Sequence, residues 1–385
     1  MKKHIILSAI TIGLLSSANA ADSLESMFSE GKVSGEIRAF YINRDNAAQP
    51  SGAVQRNDIG TAIGGHLKYE TGAYNGLSLG TAFYTTNRIA RGLEDNTGVN
   101  TTLFSNDGSS YSILGEAYLA YNAKDLGTKT TFKFGRQKLN TPLAGADDAR
   151  MVPNLFEAYV MHNNDIANTT LVAAHVTKMA PGSFANAYGG GIVGATAGYT
   201  YANVANSGTN NTAAYQGKFT NMGTWAVGQD TSGVTAVAAI YKNETLKLQA
   251  WDYYAHDILN AIYLQGDVSW NCMLSDSVKP FAAVQYINES DVGSNFAGKV
   301  DSDFIGAKVG ASVGNFKAYV AYSEQSKADS AATALQSATI TPWGGMPAFT
   351  QGMVTRHMFL PGTKATKVAA TYKFDGINLS ATGYY

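Results

Sequence analysis

The chain of 385 residues carries 28 basic and 29 acidic side chains, forty glycines, eight prolines and a single cysteine, Cys272. The near-neutral charge argues against nucleic acid as a main partner, and one cysteine excludes an intramolecular disulfide framework. Twenty-two tyrosines and sixteen phenylalanines beside so much glycine point to many short strands rather than helices.

The N-terminus has a basic start (Lys2, Lys3), an apolar run from Ile5 to Leu15 and a small-residue end, Ala18-Asn19-Ala20. These three zones predict a secretory signal peptide over residues 1 to 20, cleaved after Ala20. Its apolar run is too short for a membrane helix, which needs about twenty residues. Cleavage removes Lys2 and Lys3 and leaves 26 basic against 29 acidic residues, a net charge of −3. Residues 21 to 31 then read as a short periplasmic helix or tether.

From Val33 the hydrophobic period becomes two. Val33, Gly35, Ile37, Ala39 and Tyr41 alternate with Ser34, Glu36, Arg38 and Phe40, and Ile63, Leu67 and Tyr69 alternate with His66, Lys68 and Glu70. The same pattern recurs at 77 to 86, 111 to 122, 128 to 136, 153 to 162, 168 to 177, 234 to 241, 245 to 254, 258 to 270, 277 to 288, 303 to 312, 315 to 323, 364 to 374 and 377 to 385. That makes fifteen candidate strands, many near the nine to eleven residues that a tilted strand needs to cross a bilayer. A soluble β-sandwich would alternate too, so connection lengths decide between them. Short links (71 to 76, 123 to 127, 163 to 167, 242 to 244, Asp375-Gly376) alternate with long ones (87 to 110, 137 to 152, 178 to 233, 289 to 302, 324 to 363). Tight turns on one rim and long loops on the other are the habit of an outer-membrane barrel. Tyr41, Tyr69, Tyr121, Tyr201, Trp270, Tyr322 and Tyr372 lie near strand ends, where aromatic girdles form.

The expected fold is therefore all-β: a transmembrane antiparallel β-barrel over residues 32 to 385, with sixteen to eighteen strands and a polar lumen. A closed barrel needs an even number of strands, and fifteen is odd. The expectation is that at least one strand follows Tyr385, against the competing reading of Tyr385 as the terminal aromatic of an assembly signal. The 178 to 233 stretch is either one loop or hides a hairpin near 192 to 203 and 219 to 229.

Turning the apolar faces to lipid points Arg38, Lys68, Lys133, Lys247, Lys308, Lys317 and Lys367 into the lumen, with fewer acids, among them Glu116 and Asp267. A basic wall favours anions. In the segment 135 to 160, Asp147, Asp148 and Arg150 follow a strand end and precede Pro153, a pattern that can build a structured constriction. The expected function is passive diffusion of small hydrophilic solutes and ions through an open porin, with outer-membrane lipids around it and a monomeric or homotrimeric state. A plugged structural or adhesin-type barrel is the alternative. A barrel hydrolase is weaker still, because the histidines are scattered and no H-E-x-x-H or G-x-S-x-G run occurs. No cofactor or metal signature is present.

Three segments, GKVSGEIRAFYINRD (31 to 45), GRQKLNTPLAGADDARMVPNLFEAYV (135 to 160) and PWGGMPAFT (342 to 350), resemble the OprD-type outer-membrane porin family. The resemblance implies an eighteen-stranded channel for small, often carboxylate-bearing nutrients, with a basic ladder in the pore and a loop folded into it. It implies Arg136, Asp147, Asp148 and Arg150 as constriction or loop-anchoring residues.

Overall fold

The computed structural model describes residues 21–45, 57–89, 99–105, 107–187, 216–273, 275, 277–328, 337–345, 347–352, 357–376 and 380–385. The expected leader with its expected cleavage residue Ala20, Tyr201 and the candidate strand 192 to 203 lie outside them.

Each alternating run forms a strand: β1 (Lys32–Asp45), β2 (Asn57–Glu70), β3 (Leu77–Arg88), β4 (Tyr111–Asn122), β5 (Thr130–Gln137), β6 (Leu155–Asn163), β7 (Thr169–Ala180), β9 (Val234–Lys242), β10 (Leu246–Ala255), β11 (Leu259–Ser269), β12 (Val278–Asp291), β13 (Asp301–Val313), β14 (Phe316–Gln325), β15 (Lys364–Lys373) and β16 (Ser380–Tyr384). A two-residue strand, β8 (Thr220–Asn221), pairs with the end of β7. All belong to one sixteen-stranded antiparallel sheet whose neighbours follow chain order. Sequential antiparallel pairing satisfies the backbone polar groups between adjacent strands, which hydrocarbon demands because it offers no substitute for water.

The wall is apolar on its outside. Along β10, Lys247, Gln249, Trp251 and Tyr253 are buried, whereas Leu248, Ala250, Asp252 and Tyr254 are exposed. Ile37 is 86% exposed, Val33 69%, Leu67 and Val284 62%, Val309 59%. So many bare aliphatic side chains in one phase are an unsatisfied surface in water but a match for lipid.

Tight turns gather on one rim. Asn75 and Gly76 both take positive φ (48° and 79°) in the β2–β3 turn, the twist that two-residue hairpin loops need. The helix α1 (Leu24–Ser29), closed by a capping box between Ser23 and Ser26, docks on this rim: the Gly72 N–H donates to Met27 O at 2.8 Å and Ala21 N–H to Ala73 O at 2.8 Å.

The stretch 219 to 229, admissible as a strand by alternation, departs from that reading. After β8 it becomes a helix, α2 (Met222–Val227), because Asn221 caps it through the N–H groups of Gly223 and Thr224 and Gly228 ends it at φ 78°. Its Trp225 is buried inside the barrel, in an apolar cluster shared with Phe184, Trp251, Tyr253, Trp343 and Phe359. The long loops thus fold inward and supply a core that the wall itself lacks.

An outward Val309→Arg substitution is expected to lower unfolding stability in lipid vesicles by about 2–4 kcal/mol. The neighbouring inward Lys308 already carries a charge at the same height, so urea titration of Lys308→Arg should give a change well below that.

Candidate functional site

A cavity of about 830 Å³ lies in the interior. Its walls come from distant parts of the sheet: Lys68 on β2, Glu116 on β4, Lys133 on β5, Lys247 on β10, Lys308 on β13, Lys317 on β14 and Lys367 on β15. Strands so far apart in sheet order can line one space only because the sheet wraps around it. With Lys138, Asp147 and Asp148, the lining holds seven lysines and three acids.

The lysines differ in what they touch. Lys68 Nζ lies 3.3 Å from Glu70 and 3.2 Å from Glu116, whose other oxygen accepts the Tyr84 hydroxyl at 2.7 Å. Lys308 Nζ is 3.6 Å from Asp267 and 4.0 Å from the centre of the Phe349 ring. Asp267 itself sits beside the cavity, holding Lys308 and accepting from the Gln265 amide. Lys367 donates to Gln351 O. Among the described residues, Lys133, Lys247 and Lys317 form no ion pair; Lys133 lies 3.7 Å over the Tyr118 ring and Lys317 4.6 Å over Phe281. Aromatic faces hold an ammonium without neutralising it.

The loop between β5 and β6 narrows the space. Arg38 reaches it from β1 and binds both Asp148 oxygens, Nη2 to Oδ2 at 3.2 Å, while Nη1 also donates to Arg150 O at 2.7 Å. Its Nη2 is shared with Glu36 at 2.7 Å, and Lys138 Nζ adds a contact of 3.3 Å to Asp148. Arg38 is therefore inward-facing as its phase requires, but it staples the loop instead of lining the cavity. Burial alone pushes the Asp148 carboxyl up; the hydrogen bond from Arg38 and the charges of Lys138 and Arg38 outweigh it and hold the group below the usual aspartate range.

Asp147, at φ 44°, accepts the Gly345 N–H at 3.1 Å and so ties this loop to a second one, residues 337 to 350. The two meet closely: Gly145 N–H donates to Trp343 O at 3.2 Å, and a Cβ on Gly345 (φ 82°) would stand 2.2 Å from Pro142 O. Trp343 Nε1 donates to Met222 O at 3.0 Å and Trp225 Nε1 to Pro342 O at 2.7 Å, which brings α2 into the same knot.

Arg150 contributes its carbonyl to the staple, and its guanidinium lies near the Phe40 and Phe184 rings, 5.4 and 5.2 Å away. Arg136 is absent from the constriction. It shares the outward phase of Phe134, pairs with Glu157 at 3.6 Å and covers the Phe219 ring at 4.5 Å. One residue of phase separates it from the inward-facing Lys133–Gly135–Gln137 series, and β-strand geometry sends alternate side chains to opposite faces. Lys138, which its phase did not mark as inward, also lines the cavity, as do Gly345, Pro347, Ala348 and Phe349 of the PWGGMPAFT segment. The adjacent Gly344-Gly345 pair, both at positive φ, was the signal for a close-packed loop.

The sequence matches the family model described as outer membrane porin, OprD family, over residues 26–350. No curated protein matches it. Among solved structures, OccK9 (OpdG) of Pseudomonas aeruginosa is similar at 18% identity and a TM-score of 0.69, covering 94% of this chain and 83% of that one. OpdK of the same organism, solved with vanillate, is similar at 15% and 0.65, covering 91% and 79%. OccK2 (OpdF), in complex with glucuronate, is similar at 16% and 0.63, covering 91% and 78%.

Replacing Arg38 with Ala should release the β5–β6 loop, removing charge-assisted bonds worth about 2 kcal/mol; noisier and larger single-channel currents are the expected readout. The anchoring also depends on pH. A carboxyl with a lowered titration point contributes fully above the ordinary aspartate value of about 3.9, and loses that contribution as the pH falls through the lowered one. Loop protection in hydrogen exchange should therefore be constant at neutral pH and decline only in strong acid, with Asp148→Asn already in the released state at neutral pH.

Proposed function

We propose that this chain, which belongs to the OprD family of outer membrane porins and resides in the bacterial outer membrane, prefers small anions, carboxylates above all. The coarser reading needs no proposal: it is a channel for small solutes, as the family is, and not an enzyme.

The observation that carries the preference is the lining, with seven lysines against three acids. Electrostatic selectivity in a pore follows the uncompensated charge of its wall. Glu70 and Glu116 offset Lys68, and Asp267 offsets Lys308. Lys133, Lys247 and Lys317 supply the surplus. Each is anchored on a strand, so the charges keep their spacing as a solute passes. Vanillate and glucuronate, the molecules named with two structural neighbours, are both small carboxylates, and they support the same reading.

The apolar knot of loops beside the cavity favours one second reading, a barrel plugged for a structural role. Conductance separates the two. In planar bilayers under a salt gradient, discrete steps with an anion-leaning reversal potential are expected. A folded barrel without steps would establish the plug, and a cation-leaning potential would refute the anion preference while keeping the channel.

Residue-level outcomes follow from the pairing. Lys317→Gln should lower the anion-to-cation permeability ratio by about two- to fivefold, matching roughly 0.5–1 kcal/mol of attraction across a hydrated lumen. Lys68→Gln should change it less, because that charge is already balanced by Glu116 and Glu70.

A further inference from the structure

The loop 337 to 350, whose Gly345, Pro347 and Phe349 line the cavity, is fastened to the inner faces of β12, β13 and β14 mostly by neutral groups. Gln325 donates to Ser337 O at 2.9 Å and accepts the Thr339 hydroxyl at 2.7 Å. Gln285 holds Pro347 O at 3.1 Å and the Phe349 N–H at 2.8 Å. The Ser323 and Thr350 hydroxyls meet at 2.6 Å.

One fastening group is ionisable. Glu289 on β12 has 0% exposure; its Oε2 accepts the Ile340 N–H at 2.7 Å, and its Oε1 has no hydrogen-bond partner among the described residues. Its cross-strand neighbours are Ala261 on β11 and Ser302 on β13. The loop segment 337 to 345 contains no titratable side chain. Titratable groups in the same inward phase include Asp291 on β12, whose Oδ1 accepts the Val300 N–H at 3.2 Å, Tyr263 on β11, bonded to Gln265, and Lys308 further along β13, paired with Asp267; on the loop side, His357 belongs to the short helix His357–Phe359, whose Phe359 O accepts the Thr339 N–H. No charged side chain acts on Glu289 among the described residues.

A carboxylate removed from water, with one backbone donor and no counter-ion among the described residues, is strongly disfavoured against the neutral acid. Burial in the docked state therefore favours a proton on Glu289. Lifting the loop admits water to the carboxyl and lets that proton leave. A state that holds one more proton than its alternative loses population as pH rises.

We propose that Glu289 is a proton-operated latch that keeps the 337 to 345 loop against the barrel wall while protonated and releases it, widening the channel, when the proton is lost. The channel-widening half rests on the cavity being the solute path; release of the loop itself does not.

The test follows backbone hydrogen exchange of the 337 to 345 segment in the refolded full chain, wild type beside Glu289→Gln, between about pH 5 and pH 9, a range that spans the titration of free and buried carboxyls. Gln keeps the acceptor for Ile340 and cannot ionise, and comparing the two proteins at each pH cancels the intrinsic pH dependence of exchange. The expected result is equal exchange at the acid end and exchange faster by about tenfold or more in wild type at the alkaline end, the tenfold being one decade in an opening equilibrium. Single-channel conductance, recorded on the same preparations, should rise with pH in wild type relative to Glu289→Gln, since both keep every lumen lysine. Exchange that tracks identically in the two proteins at every pH overturns the latch. Loop release without any conductance would refute the porin reading and leave the latch standing. If Glu289→Gln does not fold, as judged by heat-modifiable mobility, Glu289→Leu is compared in the same way, with the same two outcomes.

Discussion

Backbone hydrogen bonding in hydrocarbon is the constraint on which the rest of this molecule depends. Lipid offers no partner for an N–H or C=O, so the spanning chain must pair strand with strand, and β1 to β16 do this in chain order. Once the sheet turns its Ile37, Leu67, Val284 and Val309 face to lipid, period-two geometry turns the Lys68, Lys133, Lys308 and Lys317 face inward. The charged interior is thus a direct consequence of the apolar exterior.

A wide, polar cylinder has no reason to be narrow, and here narrowing is the work of loops. They form a core of their own, with α2, Trp343, Phe184 and Phe359 packed against the inward Trp251 and Tyr253. Two kinds of fastening hold them. The β5–β6 loop is tied by charge, with Arg38 gripping Asp148. The 337 to 350 loop is tied by amides, hydroxyls and the buried Glu289. Charge-based and neutral fastenings respond differently to the medium, since an ion pair weakens with salt and acid while neutral bonds between buried amides and hydroxyls do not titrate. The two halves of the constriction can consequently answer to different conditions.

Selectivity depends on which charges remain uncompensated. Six wall lysines reach the cavity, but carboxylates already balance Lys68 and Lys308. Lys133 and Lys317 rest on aromatic faces, an arrangement that fixes the ammonium while leaving its field available. A count of basic residues overstates the driving force, and their partners correct it.

The strands, their phase and the distribution of short and long connections were legible in the sequence, because alternation and turn chemistry are local and lipid contact makes alternation strict. The same phase points Lys68, Lys133, Lys247, Lys308, Lys317, Lys367 and Glu116 inward, and these side chains line one cavity. Phase did not select Arg136, which the family resemblance suggested and which takes the outward phase of Phe134; alternation reasoning also admitted a strand where the Asn221 cap and Gly228 make α2. It could not tell that Arg38 is consumed in stapling Asp148, nor that Glu289 lies beneath Ile340. Those contacts join residues 110 and 51 positions apart. Periodicity over a few residues determines which way a side chain points; only the wrapped sheet and its infolded loops decide what that side chain meets.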